Sequence, residues 1–136
     1  MSMMTDMMES VPDDMMMPGM DMAMMTECIE ACSACSMAAT MCADASIMDG
    51  MGRCSSLCAS MADMPMTMMR VMMRPAGYDM AVMRPMMMAC IEMGKACAME
   101  CRMHMDMVDC CRICADACDA MVMACEKMMA KMGMPA

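Results

Sequence analysis

The sequence predicts an all-α protein: an antiparallel four-helix bundle with a cysteine-lined core and a Met-rich N-terminal arm. Three observations carry that expectation. Good helix formers, Met and Ala, dominate the chain, with 39 Met, whereas strand-forming aromatic and β-branched residues are scarce. A length of 136 residues suits one domain of four helices, each of about 22 residues and roughly 33 Å. The 14 cysteines recur at spacings that return to one face of a helix.

The elements follow in chain order. Residues 1–22 are rich in Met and Asp, interrupted by Pro12, Pro18 and Gly19, and show no sustained period; they form the arm. A first helix is expected over 23–46, with Thr26 and Glu27 near its start and Asp49-Gly50 beyond its end. A second spans 51–73 and is closed by the turn-forming run Arg74-Pro75-Ala76-Gly77. Asp79 caps a third helix over 80–103. The fourth covers 107–131, where Lys127 and Lys131 suit the C-terminal dipole and Gly133 and Pro135 end it. Short connections make successive helices antiparallel neighbours, so residues 23–132 constitute the bundle. Pro65 and Pro85 disturb this scheme. A kink or break is expected near each, with Asp63 capping a restarted second helix or the third beginning at Pro85.

A net charge of -9 excludes nucleic acid as a partner, since phosphate contacts need clustered Lys and Arg and base stacking needs aromatics, of which Tyr78 is the only one. Acidic balance equally disfavours an anionic membrane surface. The longest uncharged run, Ala31 to Ala43, is too short to span a bilayer. The N-terminus carries neither a basic leader nor a twin arginine. Reduced thiols then favour the cytosol. The periplasm is the alternative if an export signal has been removed, because thioethers keep their donor chemistry under oxidising conditions.

Sulfur forms stripes. Cys28, Cys32, Cys35 and Cys42 fall within about 80° of one another on a helix. Cys90, Cys97 and Cys101 repeat the arrangement in the third helix, extended by His104. Cys111, Cys114, Cys118 and Cys125 make a stripe in the fourth, with Cys110 at its margin. The second helix offers Cys54 and Cys58, and its stripe continues through Met61, Met68 and Met72. Met121 continues that of the fourth.

Cysteines three or four residues apart on one helix sit on adjacent turns, where they clamp a metal more readily than they close an unstrained disulfide. Thiolate and thioether donors prefer soft ions, and Cu(I) accepts two or three sulfurs without requiring a tetrahedron. If each thiolate bridged two ions, the column could hold up to about 14 Cu(I). Loading would release protons and stabilise the fold. Other readings remain. A single buried Cys is ordinarily core. Most of the Met must likewise fill the core, because Leu57 is the only leucine. His104 alone could simply end a helix. The carboxylates Glu27, Glu30, Glu92, Asp116 and Glu126 read as a solvated face. Zn or Cd sequestration of metallothionein type, a one-ion copper chaperone and a structural bundle with incidental thiols are the rival functions. No catalytic constellation is present: there is one His and no phosphate loop, and nothing singles out one thiol as a nucleophile.

On ECIEACSAC at Glu27 to Cys35, CADA at Cys42 to Ala45, RPAGYD at Arg74 to Asp79 and CRICADAC at Cys111 to Cys118, the chain resembles the bacterial copper storage proteins. The likeness covers about residues 27 to 131. It implies Cys stripes facing inward, multiple Cu(I) ions held inside, an entrance for copper near one end and, as is frequent in that family, a homotetramer. The pattern departs where such proteins tend to carry further Cys: Ala39, Ser46, Met61, Pro65, Gly94 and Met121 stand in the stripes instead. Cys110 stands where a His is often seen beside the entrance. A lower capacity and some thioether sites follow, and the wholesale use of Met marks an unusually specialised or redesigned chain.

Overall fold

The computed structural model describes residues 3–12, 21–47 and 50–133. Much of the expected arm, residues 1–2 and 13–20, lies outside them, as does Asp49 at the first turn. The arm does contain a short helix, α1 (Met3–Glu9), which packs on the first long helix and buries Met8 there.

Four long helices make the bundle: α2 (Met22–Ala45), α3 (Gly52–Met72), α4 (Met80–Arg102) and α5 (Asp109–Lys131). Asp21 caps α2 by accepting from the Met24 amide at 3.2 Å, one turn ahead of Thr26 and Glu27. Asp79 caps α4 as expected, accepting from the Ala81 amide at 2.9 Å. The α3–α4 connection is a 3-10 turn, Pro75–Gly77. Tyr78 follows it, and its hydroxyl donates to the Met72 carbonyl and meets Met25 Sδ at 3.5 Å, tying α2, α3 and the turn together.

Of the kink or break expected at each proline, the break does not occur: both lie inside continuous helices. Pro85 lies a turn and a half into α4, past the amides that a helix start leaves spare, and the helix nevertheless runs through it. Pro65 lies deep in α3, and the turn before it is served from side chains: Ser36 of α2 donates to the Ala62 carbonyl at 2.6 Å, and Thr67 to the Asp63 carbonyl at 3.1 Å. The Pro65 ring itself is buried among the core side chains, which hold the helix in place. Asp63 therefore starts no second helix.

Each long helix packs on the next, and α5 closes back on α2. The register is antiparallel: Cys28, Cys35 and Cys42 of α2 face Cys125, Cys118 and Cys111 of α5. Across α3 and α4, Cys54 faces Cys101 and Cys58 faces Cys97. The core is graded as a result. The end formed by the α2 C-terminus and α5 N-terminus is filled with thiols, whereas the opposite end is filled with buried Met, among them Met25, Met72, Met83 and Met128. Met side chains adapt to irregular gaps, which suits a core with almost no Leu.

Candidate metal centre

All fourteen cysteines are free thiols, and all but Cys110 are fully enclosed. The stripes face inward as the periodicity required. The rungs between α2 and α5 come every seven residues, two turns apart, with sulfur–sulfur distances of 3.5, 3.7 and 3.8 Å. Between α3 and α4 the pairs Cys54–Cys101 and Cys58–Cys97 lie 3.9 and 3.8 Å apart. A diagonal within this second ladder brings Cys58 to 3.6 Å from Cys101, and contacts from Cys58 to Cys114 and from Cys54 to Cys111, each 3.9 Å, join the two ladders.

These contacts gather the sulfurs into groups of ligating size. Cys42, Cys54, Cys58 and Cys101 lie within 4.8 Å of one another, as do Cys58, Cys97, Cys101 and Cys114. Cys42, Cys110 and Cys111 make a third group, and Cys28, Cys32 and Cys125 a fourth. The first three of these groups share members, so neighbouring ions there could be bridged by common thiolates, whereas the Cys28, Cys32 and Cys125 group stands apart.

Three sulfurs are held low by hydrogen bonds from neighbouring thiols, whereas in the Cys42, Cys110 and Cys111 group burial raises all three. Hydrogen bonds from Cys125 and then Cys32 bring the Cys28 thiol down to about 5. Those from Cys114, Cys58 and Cys97 hold Cys101 far below the usual thiol range, and those from Cys114, Cys35 and Cys97 do the same for Cys118. The partners that keep their protons are pushed up, Cys32 by its bonds to Cys125 and Cys28, and Cys114 by its bonds to Cys101 and Cys118. Burial is the leading cause for Cys54 and for Cys90, whose thiol rises to about 12.

The methionines continuing the stripes, Met61, Met68, Met72 and Met121, are all fully buried. Of these only Met121 makes a described contact with a thiol, its Sδ lying 3.5 Å from Cys125 Sγ. His104 caps the thiol-rich end but meets no sulfur at bonding distance. Its Nε2 is instead 2.9 Å from Glu100 Oε2, and Glu100 Oε1 accepts from Arg53 Nε at 3.1 Å. Sequence reasoning misses Glu100, although its i+4 offset from His104 is a usable signal. Ser46 is buried with its hydroxyl 3.6 Å from Cys42 Sγ. Cys90 is enclosed but belongs to none of the four groups. The solvated carboxylates behave as expected: Glu27 pairs with Lys127, and Asp116 with Arg112.

A helical bundle whose interior is a run of soft, exchangeable sulfur donors is built to hold soft metal ions in number. The sequence model of the copper storage protein family matches residues 21–130, and the chain belongs to that family. It is similar to the copper storage protein Ccsp of Streptomyces lividans loaded with 10 copper equivalents, at 34% identity over 93% of this chain and 98% of that one, with a TM-score of 0.87. A mutant of that protein with one histidine replaced by alanine matches at 35% identity over 85% and 99% of the two chains, with a TM-score of 0.81. A cytosolic copper storage protein of the same organism carrying five coppers matches at 35% identity over 79% and 93%, with a TM-score of 0.76. Comparison with curated proteins finds no match.

Proposed function

We propose that the chain stores and buffers Cu(I), taking many ions into the bundle rather than catalysing a reaction. The observation that carries this reading is the overlap of the thiol groups, in which Cys58 and Cys101 belong to two clusters at once. Shared sulfurs suit linear or trigonal Cu(I) joined by bridging thiolates. All fourteen cysteines are the primary ligands. His104, Met61, Met68, Met72 and Met121 are secondary ones, His104 becoming available when Glu100 yields it. Residues 23–132 are the storing unit and 1–22 an arm.

No helix among the described residues is long and apolar enough to cross a membrane. A cytosolic location is supported by the relative described as cytosolic. A homotetramer is the assembly the family resemblance suggests.

The test is an anaerobic titration of fully reduced protein with Cu(I) against a chromogenic Cu(I) chelator. Many ions withheld per chain, on the order of the thiol count, are expected. One ion would mean a chaperone, and none a structural bundle. The four-thiol cage Cys58/Cys97/Cys101/Cys114 could also take tetrahedral Zn(II). Competition should therefore displace Zn(II) by Cu(I), and the converse would favour sequestration of zinc.

A further inference from the structure

Tracing the sulfur contacts from the His104 end gives one long chain. It runs from Cys110 through Cys42, Cys111 and the clusters around Cys58 and Cys101 to Cys114, Cys118 and Cys35. There it stops. Cys28, Cys32 and Cys125 contact one another and Met121, and none of their sulfur contacts reaches the long chain. One thiol stands between the two sets, Cys90 on α4, within electrostatic reach of Cys28, Cys35 and Cys125 but hydrogen-bonded to no described sulfur. The other stripe positions past the end of the long chain hold no thiol: Met61 on α3, Gly94 on α4 and Met121 on α5 are buried there.

Met121 has a defined posture at this gap. Its Sδ faces Cys125, while its methyl fills the hollow over Gly94, where an added Cβ would lie 2.8 Å from Met121 Cε and 2.7 Å from Val122 Cγ2. A thioether is neutral and carries a methyl, so it can donate to one soft ion while its carbon blocks the path to the next thiolate. We propose that the copper load is divided into two compartments. One is the long thiolate chain open toward the His104 end. The other is a discrete site at the far end, where Cys28, Cys32 and Cys125 hold Cu(I) and the Met121 thioether serves as both added ligand and partition. This rests on the storage reading and adds a division to it that the reading does not require.

The experiment is release of Cu(I) from the anaerobically loaded full-length protein into excess chromogenic Cu(I) chelator, followed in time. Two phases are expected, a major one from the chain and a minor slow one on the order of one ion, as three thiolates and one thioether would bind. Met121→Leu keeps the bulk and removes the sulfur. It should weaken or accelerate the minor phase at least about tenfold, the loss common when even an outer partner of a metal ligand is removed, and leave the major phase unchanged. Met121→Cys supplies the missing thiol and should merge the two phases into one. Single-phase release from the unaltered protein overturns the division while leaving storage intact. A minor phase unmoved in both variants overturns the role of Met121. Retention of one ion or none overturns storage itself, and the division with it.

Discussion

Cys110 Sγ lies 3.4 Å from Cys42 Sγ, so the one thiol that is partly open to solvent touches a fully buried one. An ion captured at the surface therefore has its next ligand within reach. In the reduced apo protein, Cys110 should be alkylated before any other cysteine, as mass spectrometry at short reaction times would show. Cys110→Ala should slow Cu(I) uptake while lowering the final load by about one ion. Earlier labelling of Cys28, Cys32 or Cys125 would contradict this route.

Stability of the reduced apo protein should pass through a maximum in mildly alkaline solution. Cys90 is raised by burial from an ordinary value of 9.0 to about 12, so its protonated form stabilises the fold below pH 9 and that contribution is lost as pH rises toward 12. Fully developed, this loss is on the order of 4 kcal/mol. Cys28 acts in the other sense. Lowered to about 5, it contributes stability above pH 9 that is lost as pH falls toward 5. Urea denaturation at stepped pH under reducing, anaerobic conditions measures both limbs, and Cys90→Ala should flatten the alkaline one.

Copper should stabilise the chain strongly and acidify its medium. Binding to the folded form alone, at a thousandfold excess over the dissociation constant, contributes about 4 kcal/mol per independent site. The thiols of Cys32, Cys54, Cys90 and Cys114 hold their protons when free. Each gives one up to the metal. A pH indicator in weakly buffered titrations should register that release, and a chelator should return the melting temperature to the apo value.

Gly94→Ala should destabilise despite alanine's better helix propensity. The added methyl meets Val122 and Met121 at less than contact distance. Overpacking of this kind costs about 1–3 kcal/mol, against a gain of about 1 kcal/mol for replacing Gly within a helix. Chemical denaturation should show a net loss, relieved when Met121 is shortened in the same chain.

The helices and sulfur stripes are legible in the sequence because both follow from spacing: Cys28, Cys32, Cys35 and Cys42 can share a face in only one kind of local structure. Which thiol meets which is not. The pairing of Cys35 with Cys118 depends on how α2 and α5 slide past each other, and that is set by packing along their whole length. Pro65 misleads for a similar reason, since the hydroxyl that serves its turn comes from Ser36 on another helix. His104 stands out as a candidate ligand, but the carboxylate that holds it, and the Arg53 that steadies that carboxylate from α3, come into view only once α3 and α4 are side by side.

Tyr78, hooked between Met25 and the Met72 carbonyl, is the sole aromatic of a chain without Trp or Phe. In the near ultraviolet the apo protein is consequently almost transparent. Charge-transfer bands that grow as thiolates take up copper will stand against a nearly blank background. The single phenol emits from the far end of the bundle, close enough to Cys28 for its thiolate to act on the hydroxyl, so its quenching reports filling at that end alone. Absorbance would thus count the whole load while emission watches one end of it, in a single cuvette and without an added label.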